Sequence, residues 1–212
     1  MSRRVIAAFV FATMFLVPST VALAIDLANP AFAPSGELTS IPIGHMEFCR
    51  SRPLECVRNP VMVPAVALDQ VLWSELLGIN ARYNAEVRPV SDDDLYQVAE
   101  FWTYPNRAGD CEDYVLAKRR ALLDAGWPAS TLLIAVVRQA SGEGHAVLMV
   151  RTDRGDLVLD NQDSKILTWS ETPYFYIKRQ SQADAGQWVD LQDNRSTIVA
   201  QSADAAVGAT QP

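Results

Sequence analysis

The chain has 212 residues, 49% of them hydrophobic and 20% charged, with a formal net charge of −7. That length and balance suit a single buried core and exclude a disordered chain. The acidic charge, with no lysine- or arginine-rich run, excludes a surface built to neutralise nucleic-acid phosphates.

Residues 1–24 have the layout of a secretory signal peptide. Arg3 and Arg4 come first, an apolar run follows over 5–17, and Ala22-Leu23-Ala24 is a small-x-small cleavage site. The run falls short of the ~20 residues that span a bilayer. No later stretch is long enough either, so the mature chain is expected to carry no membrane span and to work in an oxidising compartment, the periplasm. Residues 25–194 are expected to form one domain. Positions 195–212, small and polar, are expected to be a disordered tail.

Residues 25–60 are rich in proline and short of periodicity, and are expected to form an extended arm or a wrapping segment. Cys49 and Cys56 lie within it and could close a short loop, worth about 2–3 kcal/mol in the chain-entropy model. Cys111 would then be a lone thiol in an exported protein, which asks for a reason. His45 shares the arm and is expected to be a surface or packing residue.

Over 66–86 the apolar positions Val66, Leu72, Leu76, Ile79 and Tyr83 recur at helical spacing, and Pro89 ends the pattern. Ser91, with Asp94 three positions on, opens a second helix expected to reach Trp102. The clearest helix starts at Asp110. Asp113 stands at capping-box spacing, Tyr114, Ala117, Ala121, Leu122 and Ala125 make a buried stripe, and Gly126 with Pro128 closes it. After that the period shortens. Runs over 131–138, 145–151, 156–161 and 173–179 are β-branched, aromatic and aliphatic, with turns at Gly142-Glu143-Gly144 and Asp153-Arg154-Gly155. Several are apolar on both faces, as in strands covered on both sides. Helices followed by an antiparallel sheet make an α+β fold.

The chemistry gathers around Cys111. At the start of a helix, unpaired N–H groups and the positive dipole end favour a thiolate. His145 follows Gly144 at the head of one strand, and Asp160 ends the next. A hairpin with an even-numbered loop puts both on one face, opposite or diagonal. Cys111 as nucleophile, His145 as base and Asp160 as orienter fill the three roles of a catalytic triad. The Cys111 N–H would be one oxyanion donor, and Trp102, Asn106 and Gln162 are candidates for the second. Tyr174, Tyr176 and Trp188 are expected to be core or cleft-lining aromatics.

Gly109-Asp110-Cys111-Glu112-Asp113-Tyr114, Gly144-His145-Ala146-Val147-Leu148 and Leu159-Asp160-Asn161 resemble the bacterial transglutaminase-like cysteine proteinases, which include the LapG-type periplasmic proteases. The similarity covers roughly residues 45–190. It implies a papain-like or transglutaminase-like fold, Cys111, His145 and Asp160 as the triad, and a protein substrate such as a biofilm adhesin on the cell surface. It also implies Ca²⁺ held by Asp110 and Glu112, and regulation by an inner-membrane receptor that responds to a cyclic dinucleotide. The physics of a cation agrees: carboxylates beside a developing thiolate oppose its ionisation, and a hard divalent cation reverses that. Two other readings remain open, a transglutaminase or peptidoglycan amidase on the same triad and a catalytically inactive binding module.

Overall fold

The computed structural model describes residues 31–195. The signal peptide expected over 1–24 and positions 196–212 of the expected tail lie outside them. The described chain begins with β1 (Ser35–Thr39) and α1 (Ile43–Ser51), then α2 (Gln70–Glu86), β2 (Arg88–Pro89), α3 (Asp92–Tyr96), β3 (Ala108–Gly109) and α4 (Cys111–Asp124). The rest is sheet: β4 (Leu132–Arg138), β5 (Gly144–Thr152), β6 (Gly155–Leu159), β7 (Leu167–Thr168), β8 (Phe175–Gln180) and β9 (Trp188–Leu191). Seven strands form one sheet in the order β1-β9-β8-β4-β5-β6-β7, with every pairing antiparallel. This is the expected α+β arrangement. Among the described residues no helix is long and apolar enough to cross a membrane.

The strands are apolar on both faces because each face has its own core. Leu132, Ile134, Leu148, Val150 and Leu159 point to the helix side, where they meet Val115, Leu116, Leu122 and Leu76. Leu133, Ala135, Val137, Val147, Met149 and Val158 alternate with them and pack under Trp169, Tyr174 and Tyr176. α4 lies on β5 with α2 packed against it. Glu112 through Arg119 are therefore buried all round the helix, where a single stripe was expected. Ala121 is half-buried and Ala125 exposed, because the last turn runs past that cover. The helix closes in a Schellman motif. Trp127 N donates to the Leu122 carbonyl and Gly126 N to that of Leu123, both at 3.0 Å, with Gly126 at a φ of +95° that a side chain would strain.

Three expectations need correction. Where it is described, the 25–60 segment is not extended throughout: β1 pairs with β9, but α1 is a helix that packs His45 and Phe48 into the core. His45 is 1% exposed, receives the Trp188 indole N–H at 3.2 Å, and is held near a pKa of 4 by burial and then by Arg119. It is a neutral core histidine, so of the two expected roles, surface or packing, it has the second. α3 stops at Tyr96, six residues early, with Gln97 in the left-handed region; the chain must turn inward there to satisfy two buried carboxylates described below. Arg195 is no part of a loose end either. Its guanidinium bonds Asp193 and the carbonyls of Trp169, Ser170, Thr172 and Tyr174. Cys49 and Cys56 are joined, with their Cα atoms 5.6 Å apart.

Candidate active site

Cys111 is the first residue of α4 and the free cysteine of the described chain. Its place follows from an unequal hairpin. The β5–β6 ladder runs from Thr152↔Gly155 to Leu148↔Leu159 and ends there, so residues 144–147 of β5 extend beyond their β6 partner. The start of α4 fills that gap, and the Ala146 N–H donates to the Cys111 sulfur. Gly109 is needed just before the helix, because a side chain there would overlap Asp113.

The same hairpin sets the histidine and its carboxylate. Its turn holds two residues, Asp153 and Arg154, and the register continued past Leu159 would put His145 across from residue 162 and diagonal to Asp160. His145 Nε2 lies 2.9 Å from Asp160 Oδ1, and the two side chains are only 1% and 4% exposed. A carboxylate can only accept, so Nε2 carries the proton and Nδ1 presents its lone pair to the cleft. Asp160 is held three ways. Oδ1 also accepts the Gln162 N–H at 3.0 Å, and Oδ2 accepts the Tyr174 hydroxyl. Burial pushes its carboxyl up, but the bonds from His145, Gln162 and Tyr174 outweigh that and leave it below the ordinary aspartate value.

Cys111 and His145 open onto one cleft of about 750 Å³, which Asp110, Gln139, Gly144 and Gln162 also line. Of the three candidates for the second oxyanion donor, only Gln162 reaches it, its Nε2 3.5 Å from His145 Nδ1. Trp102 is turned into the core, where its indole donates to Glu100 at 2.5 Å. Asn106 faces a separate hollow with Tyr83 and Glu86.

Behind the cysteine the carboxylates converge. Oxygens of Asp92, Asp110 and Asp113 lie within 4.8 Å of one another, and Glu112, 3% exposed, stands against the Asp110 and Asp92 carboxylates. Asp113 Oδ1 takes the Thr103 N–H at 2.9 Å, and Asp92 Oδ2 takes that of Phe101. This is why α3 ends early. It is also why Asp110 and Asp113 form no capping box: Asp110 makes no side-chain cap bond, and Asp113 faces the 101–103 segment. One buried oxygen on each of Asp92, Asp110, Glu112 and Asp113 has no hydrogen-bond partner among the described residues. Four orphaned acceptors around converging carboxylates fit a hard divalent cation, whose ligands are oxygens. Of the residues expected to hold a metal, Asp110 lies within the convergent trio and Glu112 beside it. Asp92 and Asp113 complete it. Their signal was present as Ser91-Asp92-Asp93-Asp94 and Asp110-Cys111-Glu112-Asp113, but helix caps explained the same letters.

This charge bears on the protonation of the site. Burial first, then the Asp110 and Glu112 carboxylates, push the Cys111 thiol well above its ordinary range, and its sulfur lies 3.3 Å from Glu112 Oε2. The N-terminal dipole was expected to favour the thiolate, and in this state burial and the acids outweigh it. Burial and the Asp110 carboxylate push Glu112 to about 10, and burial with Asp110 and Asp92 pushes Asp113 to about 7.

A cysteine at a helix start, sharing a cleft with a buried histidine–carboxylate pair on an antiparallel sheet, is the arrangement of the transglutaminase-like cysteine hydrolases. The model of the bacterial transglutaminase-like cysteine proteinases matches residues 35–196, most of the chain, and the chain belongs to that family. Among solved structures, calcium-bound Legionella pneumophila LapG is similar at 24% identity, over 51% of this chain and 64% of that one, with a TM-score of 0.46. The match thus spans less than two thirds of that relative. The EGTA-treated form is similar at 23% identity, over 58% of this chain and 69% of that one, with a TM-score of 0.47. No curated protein matches the chain.

Proposed function

We propose that the chain is a periplasmic cysteine endopeptidase that cuts a protein substrate through Cys111, His145 and Asp160. The observation that carries this reading is the buried His145–Asp160 pair, which turns Nδ1 toward the cleft that Cys111 shares. His145 Nδ1 takes the Cys111 proton, and the sulfur attacks the scissile carbonyl carbon. The oxyanion formed faces the Cys111 N–H at the start of α4. As it collapses, the C–N bond breaks, the leaving amine takes the proton from Nδ1, and a thioester remains. Water then gives a proton to Nδ1 and its oxygen attacks the thioester. The carbon–sulfur bond breaks and the acid leaves, with the proton returned to Cys111. Asp160 keeps the imidazole tautomer and stabilises its charged form throughout.

Asp92, Asp110 and Asp113, with Glu112 beside them, would hold calcium. When bound it supplies the positive charge that offsets the carboxylates around Cys111. The signal-peptide layout and the Cys49–Cys56 bond support export. A large surface adhesin as substrate and an inner-membrane receptor as regulator are the partners the family resemblance suggests. The test is alkylation of residues 25–212 by a fluorescent iodoacetamide, with and without Ca²⁺, alongside His145→Ala and Cys111→Ala. Fast labelling at Cys111 that collapses in His145→Ala is expected. A rate equal to that of a free thiol, or one indifferent to His145, would sink the reading. Product masses then separate hydrolysis from transfer to an amine.

A further inference from the structure

Lys118 has no part in the chemistry above, yet it is fully buried. It follows Cys111 by seven residues on α4, two turns along the same helix face. Burying a lysine is costly, and the apolar core around it could be filled by a methionine or leucine. What Lys118 touches is specific. Its Nζ donates to Asn80 Oδ1 on α2 at 2.8 Å, and the ring of Tyr114 lies 5.8 Å away. The amide of Asn80 is thereby fixed, with Oδ1 toward the lysine and Nδ2 donating to the Ser164 carbonyl at 3.3 Å. One turn further along α2, Asn84 Nδ2 donates to the Asp160 carbonyl at 2.8 Å. Asn80 and Asn84, four residues apart, thus pin both ends of the 160–164 segment. That segment begins with Asp160, carries Gln162, and has left the support of the β6 ladder at Leu159.

We propose that Lys118 is a positioning residue for Asp160, acting through Asn80 to lock the segment that aims the carboxylate at His145. This rests on the triad reading above. The hydrogen bond, and not the charge, does the positioning. Burial lowers the Lys118 pKa to about 7, against the pull of Asp160, and an amine donates to Asn80 whether or not it carries the extra proton. The groups it touches, Asn80 from α2 and Tyr114 on its own helix, are uncharged, and Asp160 is the charged group that acts on it.

The experiment measures the rate of Cys111 alkylation by iodoacetamide against pH, with Ca²⁺ saturating, in the 25–212 chain. K118M should slow alkylation at pH 6.5 by about tenfold and move the midpoint of the profile upward, because a loosened Asp160 supports the imidazolium less well. The same variant leaves the buried Asn80 Oδ1 unpaired and should melt somewhat lower than the parent, so its rate is read well below its melting temperature. K118Q, which keeps an N–H for Asn80, should restore most of the rate. In an N80A background K118M should cost nothing further, because the route through Asn80 is already cut. If folded K118M keeps the parent rate and midpoint, the inference is overturned. If K118M fails to fold, K118Q and N80A decide it: a slowed K118Q beside an unaffected N80A overturns it as well. His145→Ala separates the two levels. Should it leave alkylation unchanged, the triad reading has failed, whereas a collapse in His145→Ala beside a normal K118M sinks only the role of Lys118.

Discussion

Two groups of buried carboxylates flank Cys111, and they are opposite in kind. Asp160 is 3% exposed and its carboxylate accepts three hydrogen bonds, from His145, Gln162 and Tyr174. The result is a carboxyl below its ordinary pKa. Asp113 is equally buried, with one bonded oxygen, one orphan and acid neighbours, and burial with those neighbours takes it to about 7. Burial alone raises both. The difference lies in who supplies the compensation: the chain does so for Asp160, and the proposed cation would do so for Asp113 and its neighbours.

The strongest way to test that contrast is to remove the cation. Chelation should slow Cys111 alkylation at neutral pH by about 100-fold, because the thiol is then protonated among carboxylates. Asp92→Asn should give the same loss at low Ca²⁺, relieved only at higher Ca²⁺, which a calcium titration of the labelling rate would read. Equal rates with and without Ca²⁺ would break the contrast.

The converse is smaller. Tyr174→Phe strips Asp160 Oδ2 of its donor and leaves a buried acceptor unpaired, a cost of about 1–3 kcal/mol. It should lower the alkylation rate by about tenfold and leave the calcium midpoint where it was. A shifted calcium midpoint would mean that the two halves are coupled.

The smallest effect is on stability. Asp113 has a folded pKa raised above its unfolded value. The stability it contributes is therefore fully present below about pH 4 and is lost as pH rises through about 7. The calcium-free protein should accordingly lose melting temperature across that window. Asp113→Asn should flatten the loss and raise the calcium-free Tm at pH 7.5 by about 4 °C, while weakening the gain that Ca²⁺ gives. Thermal melts at four pH values with and without Ca²⁺ would check both signs.

Much of the architecture was legible because it is local. The 111–124 helix, its glycine closure and the strands after residue 131 are written in spacing and turn residues. The same-face pairing of His145 and Asp160 follows from an even hairpin turn, a parity argument that needs no tertiary contact. Where such reasoning failed, a distant contact had overridden a local preference. α3 stops at Tyr96 because Asp92 and Asp113 draw Phe101 N and Thr103 N inward. Surface or packing was left open for His45, and packing is decided by Trp188, which arrives 143 positions later in the chain. Arg195 looks like the start of a tail until the carbonyls of 169–174 gather around it.

The sequence by itself placed Cys111 at a helix start and put His145 and Asp160 on one face of a hairpin, since their residue types and spacings lie within one helix start and one hairpin. Only the tertiary structure decided which acids converge, that Tyr174 completes the Asp160 shell, and that Lys118 and two asparagines stand behind it. Those groups meet across α2, α3 and α4, and their chemistry depends on burial and on partners far along the chain, which no local pattern encodes.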